Sequence, residues 1–73
     1  MNAEEFHELV VDEIGLDIAV ADLTVPLDDV PDWDSVYLLK LVTAIEERTG
    51  ASVVVSALLD ARTLDDIRQA VAA

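Results

Sequence analysis

The chain has 73 residues, enough for one small domain and no second. Hydrophobic residues make up 53% of it and charged residues 27%, a balance too apolar for a disordered chain. Its 16 acidic and 4 basic side chains give a net charge of −12, which repels nucleic-acid phosphates and anionic membrane surfaces.

The first helix is expected over residues 3–14. Asn2 caps it, and Glu5 three residues later completes a capping box. Phe6, Leu9, Val10 and Ile14 then recur at helical spacing, and Gly15 suits the helix end. Residues 16–34 hold no sustained period. Pro26, Pro31 and five aspartates (Asp22, Asp28, Asp29, Asp32, Asp34) mark a long loop. Leu16, Ile18, Val20, Leu23, Val25, Leu27 and Val30 are spaced to tack that loop onto a helical core. A short strand at 18–21 is an option without an obvious partner.

The second helix runs from Val36 to Thr49, capped by Asp34 or Ser35 and closed by Gly50. Val36, Leu39, Val42 and Ile45 or Glu46 mark one apolar stripe, and Leu38, Leu41 and Ile45 an adjacent one. The β-branched segment 51–55 reads as an extended connector. Ser56 is placed to cap a short helix at 57–60. Thr63 opens a last helix, with Asp66 at the capping-box position and Leu64, Ile67, Ala70 and Val71 facing inward. The expected architecture is an all-α bundle of three main helices plus one short helix. A long loop separates the first two, in a single domain spanning 1–73.

Catalysis by this chain alone is not expected. Its one His, His7, lies on an acidic helix and reads as a solvated or half-buried side chain. A chain with no Cys has no thiolate metal site and no thiol of its own. Asp28, Asp29, Asp32 and Asp34 do not follow the spacing of an EF-hand loop, so no metal site is assigned. The acidic start lacks the basic segment of a signal peptide, and no apolar run approaches the roughly 18 residues of a membrane span. A freestanding, monomeric, cytoplasmic protein is expected.

Charge is uneven along the chain. Residues 1–34 hold 11 acidic and no Lys or Arg side chains; residues 35–73 hold 5 acidic and 4 basic ones. At the border between the two parts stands Asp34-Ser35-Val36, where the loop meets the second helix. A helix start favours an attached phosphate through its free N–H groups and its dipole. The following segment, Val36 to Leu41, is apolar over more of its circumference than one core face requires, which marks a docking surface beside the hydroxyl. Ser52 and Ser56 are rival hydroxyls, but neither follows an Asp.

Asp34-Ser35-Val36, the helix from Leu38 to Gly50 with its Glu46-Glu47-Arg48-Thr49-Gly50 end, and the tail Thr63-Leu64-Asp65-Asp66-Ile67 together resemble acyl and peptidyl carrier proteins. The resemblance covers nearly the whole chain. It implies that Ser35, with Asp34 as its motif partner, carries a covalent 4′-phosphopantetheine arm taken from coenzyme A by a phosphopantetheinyl transferase. The arm would tether acyl or aminoacyl groups as thioesters. It would present them to loading enzymes, acyltransferases or synthases of nonribosomal peptide or polyketide type. Trp33 stands where the family often has Gly, and Val36 where Leu is commoner. Helix two is more apolar here than in fatty-acid carriers. Expected docking residues are Trp33, Val36, Tyr37, Leu38 and Leu41, with Trp33 open to a second role as core beneath the loop. Leu38→Glu is expected to weaken docking with little loss of folding. The competing reading is an unmodified helical adaptor that binds one partner through helix two, with Ser35 only a cap.

Overall fold

The computed structural model describes residues 1–72. Three α-helices build it: α1 (Ala3–Glu13), α2 (Ser35–Thr49) and α3 (Leu64–Ala72). Three 3₁₀ turns, at Val20–Thr24, Leu27–Asp29 and Val55–Leu58, occupy the connections. The molecule is a small all-α bundle, measuring 28 × 22 × 20 Å.

Local chemistry sets the helix ends. In α1 the Glu5 N–H donates to Asn2 Oδ1 at 2.8 Å, and the Asn2 N–H donates back to Glu5 Oε1 at 3.3 Å. Gly15 follows in the left-handed region at φ 77°. Helix α2 ends at Gly50, φ 72°, whose N–H donates to the Glu46 carbonyl at 2.8 Å. Both glycines adopt a backbone that costs other residues energy. At α3 the Asp66 N–H donates to Thr63 Oγ1 at 3.0 Å, and Asp66 Oδ2 accepts from the N–H groups of Arg62 and Thr63. Within α3, hydrogen bonds from Arg68 and then Gln69 hold the Asp65 carboxyl below its ordinary value of 3.8.

The helices close on one cluster. Phe6, Leu9, Val10 and Ile14 of α1 and its C-cap meet Leu41, Val42, Ala44 and Ile45 of α2 and Leu64 and Ile67 of α3. Each fully buried side chain of this size contributes about 1.5–3 kcal/mol, which is what stabilises helices too short to persist alone. Among the described residues no polar or charged side chain is buried.

The long loop is held rather than free. Leu16, Leu23 and Val30 are buried, and Ile18 and Leu27 pack against the core. Val20, by contrast, is 44% exposed. His7 Nε2 donates to the Ile18 carbonyl at 2.6 Å, so the half-buried histidine pins the loop to α1. The segment considered for a strand at 18–21 runs instead into the 3₁₀ turn Val20–Thr24, whose start is fixed by the Ala19 N–H donating to Asp22 Oδ2. With no neighbouring strand to pair with, local i→i+3 bonds satisfy the backbone. A lone antiparallel bridge joins Pro26 to Thr63.

The short helix expected at 57–60 is also a 3₁₀ turn, Val55–Leu58, and Ser56 lies inside it rather than at its cap. Four residues are too few to nucleate an α-helix, and the valines before them favour extended backbone.

Candidate functional site

Ser35 is the first residue of α2, and Asp34 is the cap. The N–H groups of Val36 and Tyr37 donate to Asp34 Oδ1 at 2.9 and 3.1 Å. The sequence leaves the cap open between these two residues; the structure gives it to Asp34. Ser35 is therefore spared that duty. It is exposed, and among the described residues its hydroxyl has no hydrogen-bond partner. Asp34→Ala should lower stability by about 1 kcal/mol, read as a shift in the urea midpoint at unchanged slope; no shift would mean the cap is dispensable.

The chain approaches this point through a tight turn. Asp32 sits at φ 67°, a conformation Asp tolerates better than most residues. The Trp33 N–H donates back to the Val30 carbonyl at 3.2 Å. Buried Val30 anchors that turn, so the entry to α2 is fixed from below.

Around Ser35 the side chains divide into two faces. On one, the Trp33 and Tyr37 rings stack at 6.5 Å between centroids, and Lys40 Nζ lies 5.1 Å from the Tyr37 ring centre. Trp33, Tyr37 and Leu38 are half-buried and pack against the core. On the other, Val36 is 56% and Leu39 60% exposed. These two, with Glu13, Lys40, Thr43 and Glu47, border an open groove of ≈ 470 Å³ between the end of α1 and the outer side of α2.

This corrects three expectations. Leu41 is fully buried, so it is core and not a docking residue. Leu39, placed by spacing on one apolar stripe with Val42, is on the surface. The missed signal was in the sequence. Of the stripe Val36, Leu39, Val42 and Ile45, only the last two are buried; Val36 and Leu39 share their side of the helix with polar Thr43 and Glu47, whereas Leu38 and Leu41 lead to apolar Ile45. Leu38 is half-buried and packs against the core, so Leu38→Glu does not spare folding as the sequence reading expects. Leu38→Glu should cost about 1–3 kcal/mol through desolvation, while Leu39→Glu should stay within about 0.5 kcal/mol. Equal melting temperatures for the two variants would contradict the assignment of faces.

Two further hollows flank the bundle. One, of ≈ 260 Å³, opens between the end of α2, the 51–54 connector and α3. The other, of ≈ 540 Å³, lies between the loop and the residues before α3, lined by Pro26, Leu27, Asp28, Trp33, Ala61 and Arg62. Ser52 and Ser56 are exposed too, but neither heads an α-helix. No cluster of metal-ligating side chains occurs among the described residues. Nor does any helix among them have the length and apolarity to cross a membrane.

No protein-family model, curated protein or solved structure matches the chain.

Proposed function

We propose that the chain is a carrier protein, modified on Ser35 with 4′-phosphopantetheine, that holds acyl or aminoacyl groups for partner enzymes. The observation that carries this reading is the free hydroxyl of Ser35 at the head of α2, left exposed because Asp34 takes the cap. A hydroxyl needed as a cap would be poorly placed for transfer chemistry. Here capping and modification fall to different side chains.

The residues present fit such a group. The chain has no Cys, and the arm supplies the thiol that a thioester needs. The Ser35 hydroxyl oxygen, losing its proton, would attack the pyrophosphate of coenzyme A, forming the phosphodiester and releasing adenosine 3′,5′-bisphosphate. The start of α2 turns its dipole toward the phosphate, while the N–H groups of Val36 and Tyr37 are already held by Asp34. Exposed Val36 and Leu39 give a partner apolar contact next to the attachment point. The aspartates at 28, 29 and 32 supply long-range attraction for basic partner surfaces and speed encounter more than they strengthen the complex. In this reading the chain performs no bond chemistry itself. Its partners are a phosphopantetheinyl transferase, a loading enzyme and an acyltransferase or synthase. A cytoplasmic, monomeric protein belongs to the same proposal.

The test is intact mass after incubation with coenzyme A and a permissive phosphopantetheinyl transferase. The expected result is a gain of one phosphopantetheine group. A folded sample that gains nothing sinks the proposal and favours the adaptor reading. In that reading the groove along Val36 and Leu39 would serve a protein partner directly.

A further inference from the structure

The hollow of ≈ 540 Å³ beside Trp33 is not used by the attachment chemistry. Its size lies within the range of small-molecule sites. Its walls come from segments far apart in sequence, yet both are fixed. The Leu27 N–H donates to the Arg62 carbonyl at 2.8 Å, and Pro26 bridges to Thr63. The Arg62 N–H is itself held by Asp66 Oδ2 at 3.1 Å. A ligand entering this hollow therefore meets a backbone already ordered, which lowers the entropy cost of binding.

The lining joins an apolar surface (Pro26, Leu27, Ala61), the indole of Trp33 and two opposite charges, Asp28 and Arg62. Neither charge forms an ion pair among the described residues. Trp33 stands two positions before Ser35 in the chain, and neither Asp34 nor Ser35 lines the hollow. The surrounding field is negative: Asp29, Asp32 and Asp34 stand in the same loop end, and residues 1–34 contain no Lys or Arg. A cationic group is favoured here and a carboxylate is disfavoured.

We infer that this hollow seats an aminoacyl cargo, its ammonium paired with Asp28, its carbon chain against Trp33 and Ala61, and its carbonyl or an arm amide accepting from Arg62. The inference rests on the carrier reading for how the cargo arrives, but the hollow is testable without attachment.

The probe is the single Trp. Its indole N–H gives one NMR signal that needs no assignment. Free β-alanyl-, propionyl- and malonyl-pantetheine amides, carrying a cation, no charge and an anion, are titrated into the unmodified chain. In parallel, each is attached to Ser35 by the transferase. The β-alanyl compound is expected to move the indole signal saturably. Propionyl should bind about 1.4- to fivefold more weakly, the range an exposed ion pair supplies, and malonyl more weakly still. Asp28→Asn should bring β-alanyl down to the propionyl level. An indole signal that does not move, equal response to all three compounds, or indifference to Asp28→Asn overturns the inference. Attachment without an indole shift leaves the carrier reading standing and removes this one. A β-alanyl shift in a chain that cannot be modified does the reverse.

Discussion

Ser35→Ala is expected to remove phosphopantetheine attachment completely while leaving the fold nearly unchanged. Both halves of that outcome follow from the cap. A Ser that caps a helix contributes about 1 kcal/mol, and its loss would confuse a chemical defect with a folding one. Here the N–H groups of Val36 and Tyr37 are satisfied by Asp34, so the Ser35 hydroxyl has no helix to hold. Alanine is also compatible with helical backbone, so the substitution adds no conformational conflict to α2. The melting temperature of the variant should therefore lie within about 4 °C of the parent, since surface changes of this kind stay within about 0.5 kcal/mol. The intact mass should show no adduct at any incubation time. Ser52→Ala and Ser56→Ala should retain the full mass gain. An adduct that survives on Ser35→Ala would move the site to one of those hydroxyls. A Ser35→Ala chain that loses both adduct and fold would show that Ser35 carries structural weight, and Asp34→Ala would then have to be remeasured beside it.

The parts of this molecule that were legible in the sequence are those set by local chemistry. Asn2 with Glu5, Thr63 with Asp66, and Gly50 announce three helix boundaries through side-chain and backbone requirements that do not depend on distant residues. The tacking of the loop was legible too, because Leu16, Leu23 and Val30 had no other role in a chain this apolar. What failed was the choice between two apolar stripes on α2. Val36, Leu39 and Val42 and the set Leu38, Leu41 and Ile45 fit helical spacing equally well over two turns. Polar Thr43 and Glu47 beside Val36 and Leu39 point to the outer face, and the packing of α1 and α3 completes the choice: Leu41, Val42 and Ile45 are buried, Val36 and Leu39 exposed. The hollow beside Trp33 was beyond reach for a related reason. Ala61 and Arg62 stand opposite Leu27 because of one bridge between Pro26 and Thr63, a tertiary contact with no periodic signature. The free hydroxyl lies between these cases. Asp34-Ser35 offered two capping residues, and nothing local said which oxygen would meet the N–H groups.

Phe6→Ala is expected to cost about 3–5 kcal/mol, the range for removing a buried aromatic side chain. Phe6 has no exposed surface and sits where α1 meets the rest of the core cluster. A domain of 73 residues has roughly 4–11 kcal/mol of total stability at about 0.05–0.15 kcal/mol per residue. One substitution can therefore consume most of it, because a core this small has few neighbours able to close the cavity. Leu39→Ala, on the exposed face of the same molecule, removes a side chain of similar character and should change stability by less than about 0.5 kcal/mol. Urea titrations followed by helical circular dichroism give both numbers. A loss below about 1 kcal/mol for Phe6→Ala would place that ring outside the core. The consequence reaches Ser35 through the neighbouring residue. His7 ties α1 to the loop at Ile18, and that loop ends at the turn that starts α2. Loosening α1 frees the loop, and a transferase that reads a folded helix start sees fewer competent molecules. Modification of Phe6→Ala should slow in proportion to its unfolded fraction and recover when a stabilising osmolyte refolds it. Ser35→Ala should not recover under any condition. That difference separates a defect in presenting the hydroxyl from its absence.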